Sequence, residues 1–95
     1  MKVRKVKHLE KILKKKGFVL DPQIQHHRFY YLHIAGKKYP IYTYLSHSIG
    51  EYGRDLMGEI KNQLKFDSSV NLDKFFDCPM TKEKYIEMLR KQKVI

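Results

Sequence analysis

The residues best suited to chemistry in this chain are its histidines. Four of the five lie between His26 and His47, in HHRFYYLHIAGKKYPIYTYLSH, among Phe29, Tyr30, Tyr31, Tyr39, Tyr42 and Tyr44. RNA can be cut without a metal if one group takes the proton from a 2′-OH and another protonates the leaving 5′ oxygen. Histidine suits both tasks, because its pKa of about 6.5 leaves either form accessible near neutrality. Charge on the phosphate must also be stabilised, and Arg28, Lys37 and Lys38 are the nearby cations. His27 and His47, on opposite strands, are the candidate acid–base pair, with His26 as the substitute for His27. The plainer roles are hydrogen bonding or phosphate contact for His27, and a cap at the strand-to-helix junction for His47. His8 and His33 read as surface or fold-supporting. Metal ligation by His26, His27, His33 or His47 lacks a cysteine or carboxylate at a recognised spacing, so neither metal nor cofactor is expected.

These residues need a hairpin to position them. With period two, the stretch reads as two strands joined at Ala35-Gly36-Lys37-Lys38. A two-residue turn at Gly36-Lys37 sets Ile34 opposite Tyr39 and Leu32 opposite Ile41. Tyr30, Leu32, Ile34, Tyr39, Ile41, Thr43 and Leu45 then share a core face. His27, Phe29, Tyr31, His33, Tyr42, Tyr44 and Ser46 share the other, with His27 opposite Ser46; a longer loop would exchange the faces. The aromatic face has two readings: Phe29, Tyr31, Tyr42 and Tyr44 stack unpaired bases, or the C-terminal helices or a second copy cover them. Cover, by the C-terminal helices or by a second copy, is the favoured expectation.

The flanking elements can be read in the same way. Val6 to Lys16 forms a helix, with Val6, Leu9, Ile12 and Leu13 on one stripe and lysines opposite. Gly17 ends it in the left-handed conformation. Phe18-Val19-Leu20 is a short strand and Asp21-Pro22 a turn. After the hairpin, Ser48 is the candidate N-cap of a second helix whose stripe is Leu56, Met57, Ile60 and Leu64. Asn71 can cap a short helix holding Leu72, Phe75 and Phe76, which ends before Cys78-Pro79. Thr81 can cap a last helix with Tyr85, Ile86, Leu89 and Met88 turned inward. The predicted fold is α+β: one domain over residues 1–95, with an αβββα core (1–66), a three-stranded antiparallel sheet with helices on one face, and a helical extension (67–95).

Composition bounds the function. Ninety-five residues with 42% hydrophobic and 13% aromatic content can bury a small core. No apolar run reaches about 18 residues, so no membrane span is expected. The basic N-terminus lacks the apolar core of a signal peptide, and the lone Cys78 has no disulfide partner; a reduced, cytoplasmic protein is the expectation. The net charge is +10. It is concentrated in residues 1–17, where Lys2, Arg4, Lys5, Lys7, Lys11, Lys14, Lys15 and Lys16 face only Glu10. Clustered cations suit a polyanion, since each neutralised phosphate releases counterions; a solvated helix face is the alternative. Lys5, Lys7, Lys11, Lys14, Lys15, Arg28, Lys37, Lys38 and Ser46 are the candidate nucleic-acid contacts.

Several segments carry a family likeness. LEKILKKKGF (9–18), QHHRFY (25–30) and TYLSH (43–47) followed by the helix around Leu56 to Leu64 resemble the HicA-like toxin family. The tail FDCPMT (76–81) running on to Leu89 resembles a longer branch with a C-terminal extension. The resemblance spans most of the chain. It implies a small double-stranded-RNA-binding-type fold and a ribonuclease acting on mRNA through one essential strand histidine, neutralised by a HicB-like antitoxin. By position that histidine is His27, with His26 as the substitute. Where the family has Gly-Ser before the histidine pair, this chain has Ile24-Gln25. Glycine there allows close backbone approach to a phosphate, and isoleucine does not. The Ser46-His47 pair matches the longer branch. A non-catalytic RNA- or DNA-binding module of the same fold, and a protein-interaction domain, are the competing readings.

Overall fold

A computed structural model describes residues 2–23, 26–46, 48–77 and 79–95. The first strand, β1 (Arg4–Lys5), runs into helix α1 (Val6–Lys15). Val6, Leu9, Ile12 and Leu13 are buried, while Lys7, Lys11, Lys14 and Lys15 are exposed on the opposite side. That division follows from the helical period, which sets residues three and four apart on one face. Gly17 closes the helix at φ +93°, the left-handed region expected of it. A Cβ there would also meet the Lys82 side chain, which crosses the glycine.

Strands β2 (Phe18–Leu20), β3 (Arg28–Ile34) and β4 (Lys37–Leu45) form an antiparallel sheet in the order β2-β3-β4. The β3–β4 turn falls at Ala35-Gly36, one residue earlier than predicted. Both residues have positive φ, +52° and +79°, the signature of the type I′ turn that matches strand twist. Pairing starts as Ile34↔Lys37 and His33↔Lys38, then resumes as Tyr31↔Tyr42 and continues to Arg28↔Leu45. Leu32 therefore faces the three residues Tyr39, Pro40 and Ile41. Pro40 has no N–H to give a ladder, which suits this irregular stretch of an edge strand. The bulge adds two residues and so preserves the alternation of faces. Tyr30, Leu32, Ile41, Thr43 and Leu45 are buried as expected, and Ile34 and Tyr39 pack against the core from its margin.

A two-residue strand β5 (Glu51–Tyr52) pairs with β1, and Val6 N–H donates to the Gly50 carbonyl at 2.9 Å. Helix α2 (Arg54–Gln63) comes next. Its N-cap is Gly53 rather than Ser48; the β5 pairing holds the intervening backbone extended. Helix α3 (Ser69–Phe76) is capped by Ser68, whose hydroxyl accepts from Asn71 N–H at 3.1 Å. Asn71 thus lies inside the first turn instead of capping it. Helix α4 (Lys82–Lys91) is capped by Thr81 as predicted, its hydroxyl accepting from Lys84 N–H at 3.2 Å.

The C-terminal helices close the core from the helix side of the sheet. Leu72, Phe75, Phe76, Tyr85 and Leu89 join the same buried cluster as Leu9, Phe18, Leu32 and Met57. The Phe18 ring meets Phe75 at 6.2 Å and Tyr85 at 5.9 Å. Polar ties reinforce the join. Arg4 donates to Asp77 at 2.7 Å and Asp73 at 2.8 Å, Lys16 donates to the Phe75 carbonyl, and the Tyr85 hydroxyl donates to the Leu64 carbonyl at 2.7 Å. The expected cover of the aromatic face by the tail is therefore corrected: those apolar side chains are used on the other side, around Phe18 and Phe66. Among the described residues no helix is long and apolar enough to cross a membrane.

Candidate nucleic-acid interface and the site around His27

His27 immediately precedes β3, at the end of the sheet away from the Ala35-Gly36 turn, and is half-buried. Its ring stacks on Tyr44 with centroids 5.2 Å apart and planes 20° from parallel. A row of rings extends from there along the outer sheet face. Tyr44 meets Phe29 at 5.0 Å, Phe29 meets Tyr42 at 5.7 Å, and Tyr42 meets Tyr31 at 5.1 Å. Lys38 Nζ ends the row, 4.1 Å from the Tyr31 centroid. Register explains the overlap, since Phe29↔Tyr44 and Tyr31↔Tyr42 are direct cross-strand pairs. Such ring pairs add about 0.5–1.5 kcal/mol each beyond their buried area. Tyr42, 39% exposed, is the most open of the four Phe and Tyr rings in this row, and Phe29, Tyr31 and Tyr44 are half-buried.

His27 Nδ1 is buried and has no hydrogen-bond partner among the described residues. The imidazole borders a hollow of about 210 Å³, whose other walls include Tyr44, Ser46, Tyr52 and the α2 residues Leu56, Glu59, Ile60 and Gln63. A second hollow of about 550 Å³ lies alongside, lined by Lys5, Lys7, Glu10, Arg28 and Glu51 among others. Ser46 and Ile49 belong to both and form the rim between them. Ser46 is held in place by its N–H, which donates to the Tyr52 hydroxyl at 2.8 Å. Burial is the main cause that pushes the Tyr52 phenol above its ordinary pKa.

Arg28 is only partly available to a ligand. Its Nη1 donates to Glu10 Oε1 at 2.5 Å, and the Tyr30 hydroxyl donates to Glu10 Oε2 at 2.6 Å. Glu10 is the sole acid in the basic first 17 residues, and here it balances Arg28, the cation that follows His27 in the chain. Burial first, and then the Glu10 carboxylate, pushes the Tyr30 phenol far up from its ordinary value. Lys37 and Lys38 do not join this group. They sit at the turn end of the hairpin, roughly 20 Å of strand from His27 at about 3.3 Å per residue. There Lys38 also pairs with Asp21 at 3.3 Å, and Lys37 lies 5.7 Å from the Tyr39 centroid.

The α1 cations form a separate surface. Lys7, Lys11, Lys14 and Lys15 are exposed and make no ion pair among the described residues. Lys5 and Lys7 reach the larger hollow, linking that surface to the site. His26 is exposed. His47, Ile24, Gln25 and Cys78 lie outside the described residues, so the predicted His27–His47 pair has one described member. His8 Nε2 lies 3.0 Å from the Phe76 carbonyl and so ties α1 to α3, while His33 is half-buried on β3. No group of three or more His, Cys, Asp or Glu side chains gathers among the described residues.

Sequence reasoning missed Glu10, Tyr52, Glu59 and Gln63. A signal for the last two was present: they come three and seven residues after Leu56, on the side of α2 that also carries Ile60. Set against protein-family models, curated proteins and solved structures, the chain matches none of them.

Proposed function

We propose that this protein is a HicA-like, metal-independent endoribonuclease that binds single-stranded RNA and uses His27 as its acid–base group. The observation that carries the reading is the place of His27. It is a half-buried imidazole fixed against Tyr44, beside a hollow that opens towards Lys5, Lys7 and Arg28. In this reaction His27 takes the proton from a ribose 2′-OH, the freed oxygen attacks the adjacent phosphorus as the bond to the 5′ oxygen breaks, and that oxygen leaves with a proton taken from water. The products are a 2′,3′-cyclic phosphate and a 5′-OH. Lysines on α1 hold the flanking phosphates by charge, and Tyr42, the most open ring of the row, supplies stacking for an unpaired base. The same reading makes mRNA the substrate, a HicB-like antitoxin the protein partner and the cytoplasm the compartment.

A second reading keeps the binding and drops the cleavage. It is favoured by the Arg28–Glu10 pair, which neutralises the cation best placed to stabilise a pentacoordinate phosphate. Incubation of the protein with labelled single-stranded and hairpin RNA in EDTA, beside His27→Ala, separates the two. The nuclease reading predicts cleavage by the parent and at least a hundredfold slower cleavage by the variant, in the range of a lost general acid–base, with binding retained. Binding by both without cleavage by either would leave the non-catalytic module.

A further inference from the structure

Leu56, Glu59, Ile60 and Gln63 recur at the three- and four-residue spacing that lines up one side of a helix. In α2 that side borders the 210 Å³ hollow next to His27. The walls contributed by Ile49, Leu56 and Ile60 are apolar, while Glu59 and Gln63 bring polar groups. The Gln63 Oε1 is occupied, accepting from the Thr43 hydroxyl at 2.5 Å; its Nε2 amide is left as a donor. Glu59 is exposed and forms no ion pair among the described residues, so its carboxylate offers two acceptor oxygens. The volume is below the about 300–1,000 Å³ of pockets for drug-sized ligands. It suits one planar fragment, with the rest of the ligand outside.

We propose that this hollow is a nucleobase pocket and that guanine is the base it selects, a proposal that rests on the nucleic-acid reading above. The Watson–Crick edge of guanine presents two adjacent N–H donors, at N1 and N2, beside the O6 acceptor. A carboxylate accepts from both donors at once, and an amide N–H meets O6. Adenine, cytosine and uracil each offer a single donor group on that edge, which leaves one carboxylate oxygen unused. The neighbouring hollow provides charge complementarity for the backbone of the same nucleotide. Lys5 and Lys7 stand across the Ser46–Ile49 rim, where its phosphate would lie, while Arg28 on the same side is paired with Glu10. A base seated here would bring its sugar to the His27 side of the rim, so base choice and cleavage position become linked.

The test uses 2′-O-methyl oligouridines carrying one central G, A, C or U, which bind but cannot be cut because the attacking 2′-oxygen is masked. Affinity is read by fluorescence anisotropy for the parent and for Glu59→Gln, a change at an exposed helix position. The proposal predicts about tenfold tighter binding of the G oligomer by the parent, the size of one good bidentate base contact. In Glu59→Gln the preference disappears, and the four oligomers bind within about twofold of one another. Equal parent affinity for all four oligomers, or a G preference that survives in Glu59→Gln, would overturn the pocket and leave nucleic-acid binding standing. No binding of any oligomer would overturn the nucleic-acid reading and the pocket with it.

Discussion

At the scale of single residues, the account depends on what holds the His27 ring. No side chain or backbone group hydrogen-bonds its Nδ1 among the described residues, so orientation is left to stacking on Tyr44, 5.2 Å away. Tyr44 is thus a positioning residue for the proposed reaction. Tyr44→Phe keeps the ring and should retain cleavage within about threefold. Tyr44→Ala removes it and should slow cleavage by about a hundredfold, the scale of a misplaced catalytic group. Steady-state kinetics with one RNA checks this, and the loss should appear in kcat more than in KM. Equal activity of the two variants would remove Tyr44 from the account. The candidate His27 could be picked from the sequence, because a histidine beside a basic residue at a strand start is a local pattern. The Glu10–Arg28–Tyr30 triad could not, since its members come from a helix and a strand brought together only by folding.

At the scale of elements, the alternation of the hairpin faces was legible and the turn was not. The bulge opposite Leu32 inserts two residues into β4, and a shift of two leaves every side chain on the face that period two assigns. A shift of one would have exchanged the core and aromatic faces. The turn fell at Ala35-Gly36 because strand twist selects two consecutive positive φ values there, although alanine does not favour one. Alanine at φ +52° carries strain, which costs about 1 kcal/mol relative to a residue that tolerates the left-handed region. Ala35→Asn should therefore raise stability by about 1 kcal/mol, read as a higher urea midpoint with an unchanged m-value. A lower midpoint would contradict the turn assignment. The β1–β5 ladder was illegible for another reason: two residues are too short to show any period. The misplaced caps at Ser48 and Asn71 are errors of a turn or so, because helix starts are weakly marked in sequence.

At the scale of the whole molecule, the N-terminal strand and the third helix are tied by charge. The side chain of Arg4 is only 4% exposed, and it bonds both Asp73 and Asp77. Burial alone would lower the pKa of its guanidinium, but hydrogen bonding to Asp77 and then Asp73 outweighs this and raises it. The Asp77 carboxyl is held down at about 2, chiefly by its hydrogen bond with Arg4. A carboxylate with a depressed folded-state pKa stabilises the fold above its unfolded value near 4, and that contribution fades as the pH falls towards 2. The Asp77 side chain is 37% exposed, so solvent screening limits the effect to at most about 1 kcal/mol. Thermal unfolding should show the parent losing more stability between pH 4 and pH 2 than Asp77→Asn, with the variant the less stable at pH 7. Parallel curves would mean that the tie is energetically silent.

The charge asymmetry of the chain also becomes a surface at this scale, because the α1 lysines face solvent while the apolar stripe and the tail share one core. The composition pointed to that basic surface. The side of the sheet on which the tail would pack was not readable, since Phe75, Phe76 and Tyr85 suit either face until Phe18 and Phe66 are placed.

The central claim, cleavage through a ribose 2′-OH, is tested most directly with one oligonucleotide. It is an otherwise 2′-deoxy strand carrying a single ribonucleotide, incubated with the protein in EDTA. The account predicts one cut, on the 3′ side of that ribose, leaving a 2′,3′-cyclic phosphate and a 5′-OH. Cutting at deoxy positions, or no cutting by protein that binds the strand, would contradict it.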